Sequence, residues 1–195
     1  MTRPSESLDE QRMLLTGISW KEYVILRELL DRRNLRITYC KGALELMTTS
    51  RKHELWKTTV ARLVELYALE RHLPLVGYGS TTFQSAVEER GTEPDECYRL
   101  GTSMRDGEYP DIVLEVISKN PLVDKLEVYK GFNVPEVWLF KDGVFELYRL
   151  NDGVYARIER SRFLPELDFE LLAPFVTRED QHQAVFELRD ILRKA

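Results

Sequence analysis

The stretch Ile112-Val113-Leu114-Glu115-Val116-Ile117 constrains this chain more than any other. Five of its six side chains are apolar, so it reads as a strand lodged in the core. A carboxylate buried there without a partner is costly, so Glu115 calls for a role. Residues 95–100 form a second strand, separated from 111–117 by a polar turn region with Gly101, Asp106 and Gly107. An antiparallel hairpin centred near residues 104–105 sets Asp95 almost opposite Glu115. Directly opposed residues hold their Cβ atoms about 4.5–5.5 Å apart. Two ionised carboxylates that close repel each other unless a cation lies between them. Mg²⁺ suits such a pair, because it takes one or two carboxylates, keeps several waters and binds phosphate oxygens.

Each of these strands is preceded by or begins with a Pro-Asp pair, Pro94-Asp95 and Pro110-Asp111. A lone Pro-Asp is ordinarily a turn; two of them beside an embedded glutamate point to a site. Asp111 shares the face of Glu115 but lies about 13 Å away along the strand. It is therefore expected to start the strand or support the site from outside. Phosphodiester chemistry also needs a cation for developing charge. The strand position for it is Ile117, and Lys119 falls past the expected strand end. Lys125 lies on the following helix, expected to start at Asn120-Pro121 and to end near Asn133. Leu122, Leu126 and Tyr129 share one face of that helix with it.

Elsewhere the reading is α+β. Ser19-Trp20-Lys21-Glu22 is a capping box that opens a helix carrying Tyr23, Leu26, Leu29 and Leu30. Strands follow at 35–40 and 44–47, then a helix at 50–70 with Leu55, Thr59, Leu63, Leu66 and Tyr67 on one face. Val137–Phe140 is a buried strand, and Asp142-Gly143 and Asp152-Gly153 are hairpin turns. Thr177 with Asp180 caps a last helix.

The 195 residues suffice for one domain with a sizeable core. With 43% hydrophobic and 31% charged residues the chain is too apolar to be disordered. No apolar run approaches the ~18 residues of a membrane span. Residues 1–17 are expected to be a loose tail without a signal-peptide core, leaving 18–195 as a single domain of a cytoplasmic protein. Cys40 and Cys97 are too few for a disulfide scaffold or a cysteine-built zinc site. His53, His72 and His182 lack zinc spacing, and there is no phosphate-loop lysine or Gly-x-Ser-x-Gly elbow. The net charge of −5 argues against nucleic-acid binding through an overall field. Its distribution is more permissive. Residues 27–62 carry nine basic side chains, Arg32, Arg51, Lys52 and Lys57 among them, against four acidic ones, whereas 63–130 carry seven basic and 13 acidic.

A Pro-Asp, then a glutamate on the next strand, then a lysine resembles the PD-(D/E)xK nuclease superfamily. More specifically, the chain is similar to the Uma family of restriction-endonuclease-like proteins. The segments that carry the likeness are Gly42–Met47 with His53-Glu54, Glu93–Cys97, Pro110–Val116, Asp124–Tyr129 and Val134–Trp138. The resemblance implies a central mixed sheet flanked by helices, and Mg²⁺ (or Mn²⁺) held by Asp95, Glu115 and the carbonyl of Val116. It implies catalysis by Asp95, Glu115 and Lys125, the lysine being displaced from position 117 onto the helix. Glu45, His53 and Glu54 fall where the superfamily often adds an acidic ligand, and with Asp111 they are second-tier candidates. A DNA endonuclease would use Arg51, Lys52 and Lys57 on backbone phosphates, and a homodimer would cut both strands. The alternative is a catalytically inactive module of the same fold that binds nucleic acid or a protein partner.

Overall fold

The computed structural model describes residues 10–31, 33 and 35–194; residues 1–9 of the expected tail, and Arg32, lie outside the described residues. The rest of that tail departs from expectation. Arg12–Thr16 form strand β1, paired antiparallel with Ala43–Met47, so that Arg12 faces Met47 and Thr16 faces Ala43. A sheet edge offers unpaired N–H and C=O groups, and nothing within residues 12–16 announces that such an edge awaits them.

Helix α1 (Trp20–Leu30) opens on the expected capping box: Ser19 N–H donates to the Glu22 carboxylate at 2.8 Å and Glu22 N–H to Ser19 Oγ at 3.3 Å. It buries Tyr23 against Tyr39, the rings stacked 4.7 Å apart, whereas Leu29 stays exposed. Strands β2 (Arg36–Cys40) and β3 (Ala43–Met47) form a hairpin through Lys41-Gly42, both at positive φ. Helix α2 (Arg51–Glu70), capped by Ser50, turns His53, Thr59, Val60, Leu63, Val64 and Tyr67 inward and leaves Leu55 exposed.

Short strands β4 (Leu75–Gly77), β5 (Phe83–Ser85) and β6 (Arg90–Thr92) lead to β7 (Glu96–Leu100) and β8 (Ile112–Ile117). Helix α3 spans Lys125–Lys130 and starts later than the Asn120-Pro121 signal suggests. Its cap is Asp124, whose carboxylate accepts from Leu126 N–H at 2.9 Å and Glu127 N–H at 3.4 Å. Strands β9 (Glu136–Lys141), β10 (Val144–Asn151) and β11 (Val154–Ile158) form the expected meander, with positive φ at Asp142-Gly143 and Asp152-Gly153. Helix α4 (Phe169–Val176) is an addition to the sequence reading, and Thr177 is its C-cap; Asp180 alone caps α5 (Gln181–Leu192).

Two sheets result. One is antiparallel, in the order β1-β3-β2-β6-β5; the other is mixed, in the order β11-β10-β9-β8-β7-β4, with β8 and β9 parallel. A parallel pair needs a crossover, and the β8–β9 crossover contains α3. Strand parity then divides the core. Leu114, Val116 and Trp138 pack with Val60, Leu63 and Leu172 from α2 and α4. Val113, Cys97 and Val137 face the other way, onto Val128 and Tyr129 of α3. Glu115 shares the parity of Val113 and so faces α3.

Candidate active site

The β7–β8 register pairs Glu96 with Leu114, Cys97 with Val113 and Tyr98 with Ile112. Continued by one step, it sets Asp95 opposite Glu115, as the hairpin centred near 104–105 requires. Both carboxylates are buried, Asp95 to 2% exposure and Glu115 to 4%. Each is already partnered. The Lys125 ammonium lies 3.0 Å from Glu115 Oε1, which also accepts from the Tyr129 hydroxyl. His53 Nε2 is 2.9 Å from Asp95 Oδ1, and Val116 N–H donates to Asp95 Oδ2 at 2.8 Å.

Lys125 thus joins the site from the first residue of α3. It sits on a buried face with Val128 and Tyr129, not on one with Leu122, which is exposed. Its Nζ also donates to Thr38 Oγ1 at 3.2 Å. Val116 enters through its N–H, which fixes the Asp95 carboxylate.

Electrostatics follow from burial and these contacts. Burial by itself would lower the His53 pKa; its hydrogen bond to Asp95 and the charges of Asp95, Glu10 and Glu54 outweigh that and hold it above its usual value. Burial would raise Asp95, but the bond to His53, the Val116 amide and Lys125 hold it below the usual range. Glu115 ends above its usual range: burial and the Asp95 charge outweigh the pull of Lys125 and the Tyr129 bond. Burial and the Glu115 charge keep the Tyr129 phenol well above its ordinary value, so it remains a donor.

The second-tier residues separate. His53 belongs to the cluster. Asp111 holds the far end of the hairpin, accepting from Leu100 N–H at 2.8 Å with Arg99 Nε at 3.6 Å. Glu54 pairs loosely with Lys57 at 3.9 Å. With Arg27, Arg33, Arg36 and Glu93 it lines a cavity of about 300 Å³ that Asp95, Glu115 and Lys125 do not line. Arg51 and Lys52 are exposed on the first turn of α2, with Lys52 Nζ 4.3 Å over the Trp56 ring. Glu45 contacts Arg12 and two backbone amides, Leu122 and Val123.

Sequence reasoning assigned Tyr129 to apolar packing and passed over Glu10 and Arg12. Tyr129 stands one helical turn after Lys125, a spacing that places both on one face and could have flagged it. Glu10 is buried with Oε2 3.8 Å from His53 Nδ1, and neither atom has a hydrogen-bond partner among the described residues. That contact spans 43 residues and leaves no local trace.

Residues 20–178 match the Uma2 family, described as "putative restriction endonuclease". This chain belongs to the Uma2 family. The matched segment includes His53, Asp95, Glu115, Lys125 and Tyr129, and it leaves Glu10 and Arg12 outside. A search of curated proteins found no match. The Uma2 assignment agrees with the α+β content and the mixed sheet. Among the described residues no group of three or more His, Cys, Asp or Glu side chains is arranged as a metal-binding cluster, and no helix is long and apolar enough to cross a membrane.

Proposed function

We propose that this chain is a cytoplasmic, metal-dependent endonuclease that hydrolyses the phosphodiester bonds of DNA, with Asp95, Glu115 and Lys125 as its catalytic residues. The observation that carries the reading is the convergence of two buried, opposed carboxylates and one buried ammonium in a member of the Uma2 family. The donor chemistry fits a divalent cation: two hard oxygen ligands satisfy Mg²⁺, which keeps the rest of its shell as water. Asp95 and Glu115 would hold it, with the Val116 carbonyl as a further ligand and Mn²⁺ as a substitute. When bound, the ion supplies Lewis-acid polarisation of a phosphoryl oxygen.

The remaining work falls to the chain itself. Tyr129 donates to the Glu115 carboxylate and orients it. His53 and the Val116 amide do the same for Asp95. Lys125 orients the attacking water and offsets charge that develops on the phosphate. Arg51, Lys52 and Lys57 contact backbone phosphates, so affinity falls as salt rises. A homodimer brings two such sites to the two strands of a duplex.

A second reading is a nuclease-fold module that binds nucleic acid or a protein partner without cutting. The Lys125–Glu115 and His53–Asp95 pairs favour it, because they balance both carboxylates without a metal. Cleavage of supercoiled plasmid with Mg²⁺ or Mn²⁺, beside Asp95→Asn and Glu115→Gln, separates the two. Nicking that both variants lose is the result expected of the endonuclease. No nicking under any metal and salt condition, with plasmid binding retained, would establish the binding module.

A further inference from the structure

The irregular segment between β8 and α3 is tied down by a residue from the other sheet. Leu122 N–H and Val123 N–H both donate to Glu45 Oε2, at 3.1 and 3.0 Å. The other carboxylate oxygen of Glu45 accepts from Arg12, whose Nε also reaches Glu10 at 2.7 Å. The β1–β3 register places Leu14 opposite Glu45, so Arg12 is the diagonal neighbour that a long side chain spans. Asp124 then caps α3, and Lys125 follows as its first residue. The backbone is therefore held on both sides of the residue whose ammonium faces Glu115: Glu45 binds the amides of Leu122 and Val123 before it, and Asp124 those of Leu126 and Glu127 after it.

We infer that Glu45, clamped by Arg12, is a positioning residue that aims Lys125 at Glu115. This rests on Lys125 serving the reaction proposed above. Three observations carry it. First, Glu45 is nearly fully buried, and a carboxylate in that setting is tolerated only when paired and hydrogen-bonded; its bonds go to Arg12 and to the loop. Glu45 is thereby accounted for without ligating a metal. Second, α3 has six residues, too few to hold a helix by its own propensity, so its start is set by contacts made outside it. Third, each residue of helix advances 1.5 Å and turns about 100°, so a slip of one position at the helix start would rotate Lys125 off the face that meets Glu115. Arg12 stands ahead of residue 20, where the family match begins. The device thus recruits a strand from beyond the matched segment.

The test uses the full chain, with Glu45→Gln and Arg12→Met as independent variants. Three readouts apply: the rate at which an amine-acetylating reagent modifies each lysine, amide hydrogen exchange at Leu122 and Val123, and plasmid nicking resolved into kcat and KM. Loss of one charge-assisted hydrogen bond is expected to speed Lys125 acetylation and the two amide exchanges by about 10-fold. Half-buried Lys130, at the far end of the same helix and paired with Glu127, serves as the control and should not change. Misplacing the ammonium by an ångström should lower kcat by up to about 100-fold, with KM for plasmid within twofold. Unchanged Lys125 reactivity and exchange in folded variants would overturn the clamp, whatever the nicking. If wild type never nicks, the endonuclease reading fails, while acetylation and exchange still decide the clamp.

Discussion

The Lys125 ammonium stands 3.0 Å from Glu115 Oε1, in a pocket where both side chains are at least nine-tenths buried. Removing one member of such a pair leaves the other charge stranded, at a cost of roughly 3–5 kcal/mol. Lys125→Met should therefore destabilise the fold far more than the double variant with Glu115→Leu, which removes both charges. Urea unfolding of the two singles and the double would check this, and equal losses in Lys125→Met and the double would contradict it.

Tyr129 supplies the other bond to Glu115. Tyr129→Phe keeps the ring in the apolar cluster with Val128 and Phe132 and deletes one donor to a buried acceptor. A loss of about 1–3 kcal/mol is expected, measurable by urea unfolding. The same change should weaken Mg²⁺ binding, read by isothermal titration, because the Glu115 carboxylate loses its fixed orientation. A variant as stable as wild type would show that the contact contributes nothing.

Three groups of the site contribute to the pH dependence of the metal-free protein. His53 is raised above 6.5, so its contribution is full below that value and is lost as pH rises through the folded pKa. Asp95 is lowered below 3.8, so its contribution is present above 3.8 and is lost as pH falls through the folded pKa. Glu115 is raised above 4.5 and, like His53, adds stability that fades on the alkaline side. Melting temperatures in chelator should peak between pH 3.8 and 4.5, fall above 4.5 as Glu115 loses its proton and fall further above 6.5 as His53 does. His53→Gln should flatten the decline near neutrality; an unchanged profile in that variant would remove His53 from the account.

Gly91 in β6 lies against Tyr23. A Cβ there would stand 2.0 Å from the Tyr23 hydroxyl oxygen and 2.3 Å from the ring carbon Cζ that carries it. Tyr23 cannot swing aside freely, being stacked on Tyr39 and tilted against Trp20. Gly91→Ala should lower stability by about 1–3 kcal/mol through overpacking. The second variant Gly91→Ala/Tyr23→Leu should recover part of it, and a loss that Tyr23→Leu leaves untouched would place the strain elsewhere.

Much of this molecule was legible in the linear chain, for a physical reason that differs from element to element. The capping box at Ser19-Glu22 and the Asp-Gly turns at 142–143 and 152–153 act over two to four residues, so local chemistry decides them. The opposition of Asp95 and Glu115 was readable because hairpin register follows from where the turn lies, and period-two alternation then assigns the faces. The true start of α3 was not readable. Asn120-Pro121 carries a sound start signal, but the amides that Asn120 would cap, Leu122 and Val123, bond to Glu45 from another sheet, and Asp124 caps the helix.

By itself the sequence determined the α+β class, the paired carboxylates and the lysine-bearing helix, because strand alternation, turn chemistry and capping are short-range. Tertiary structure alone decided what those carboxylates touch. His53 reaches Asp95 across 42 residues, Arg12 reaches Glu45 across 33, and Lys125 reaches Thr38 across 87. Contacts of that span depend on how the two sheets and the crossover pack, and no periodicity within a single element encodes them.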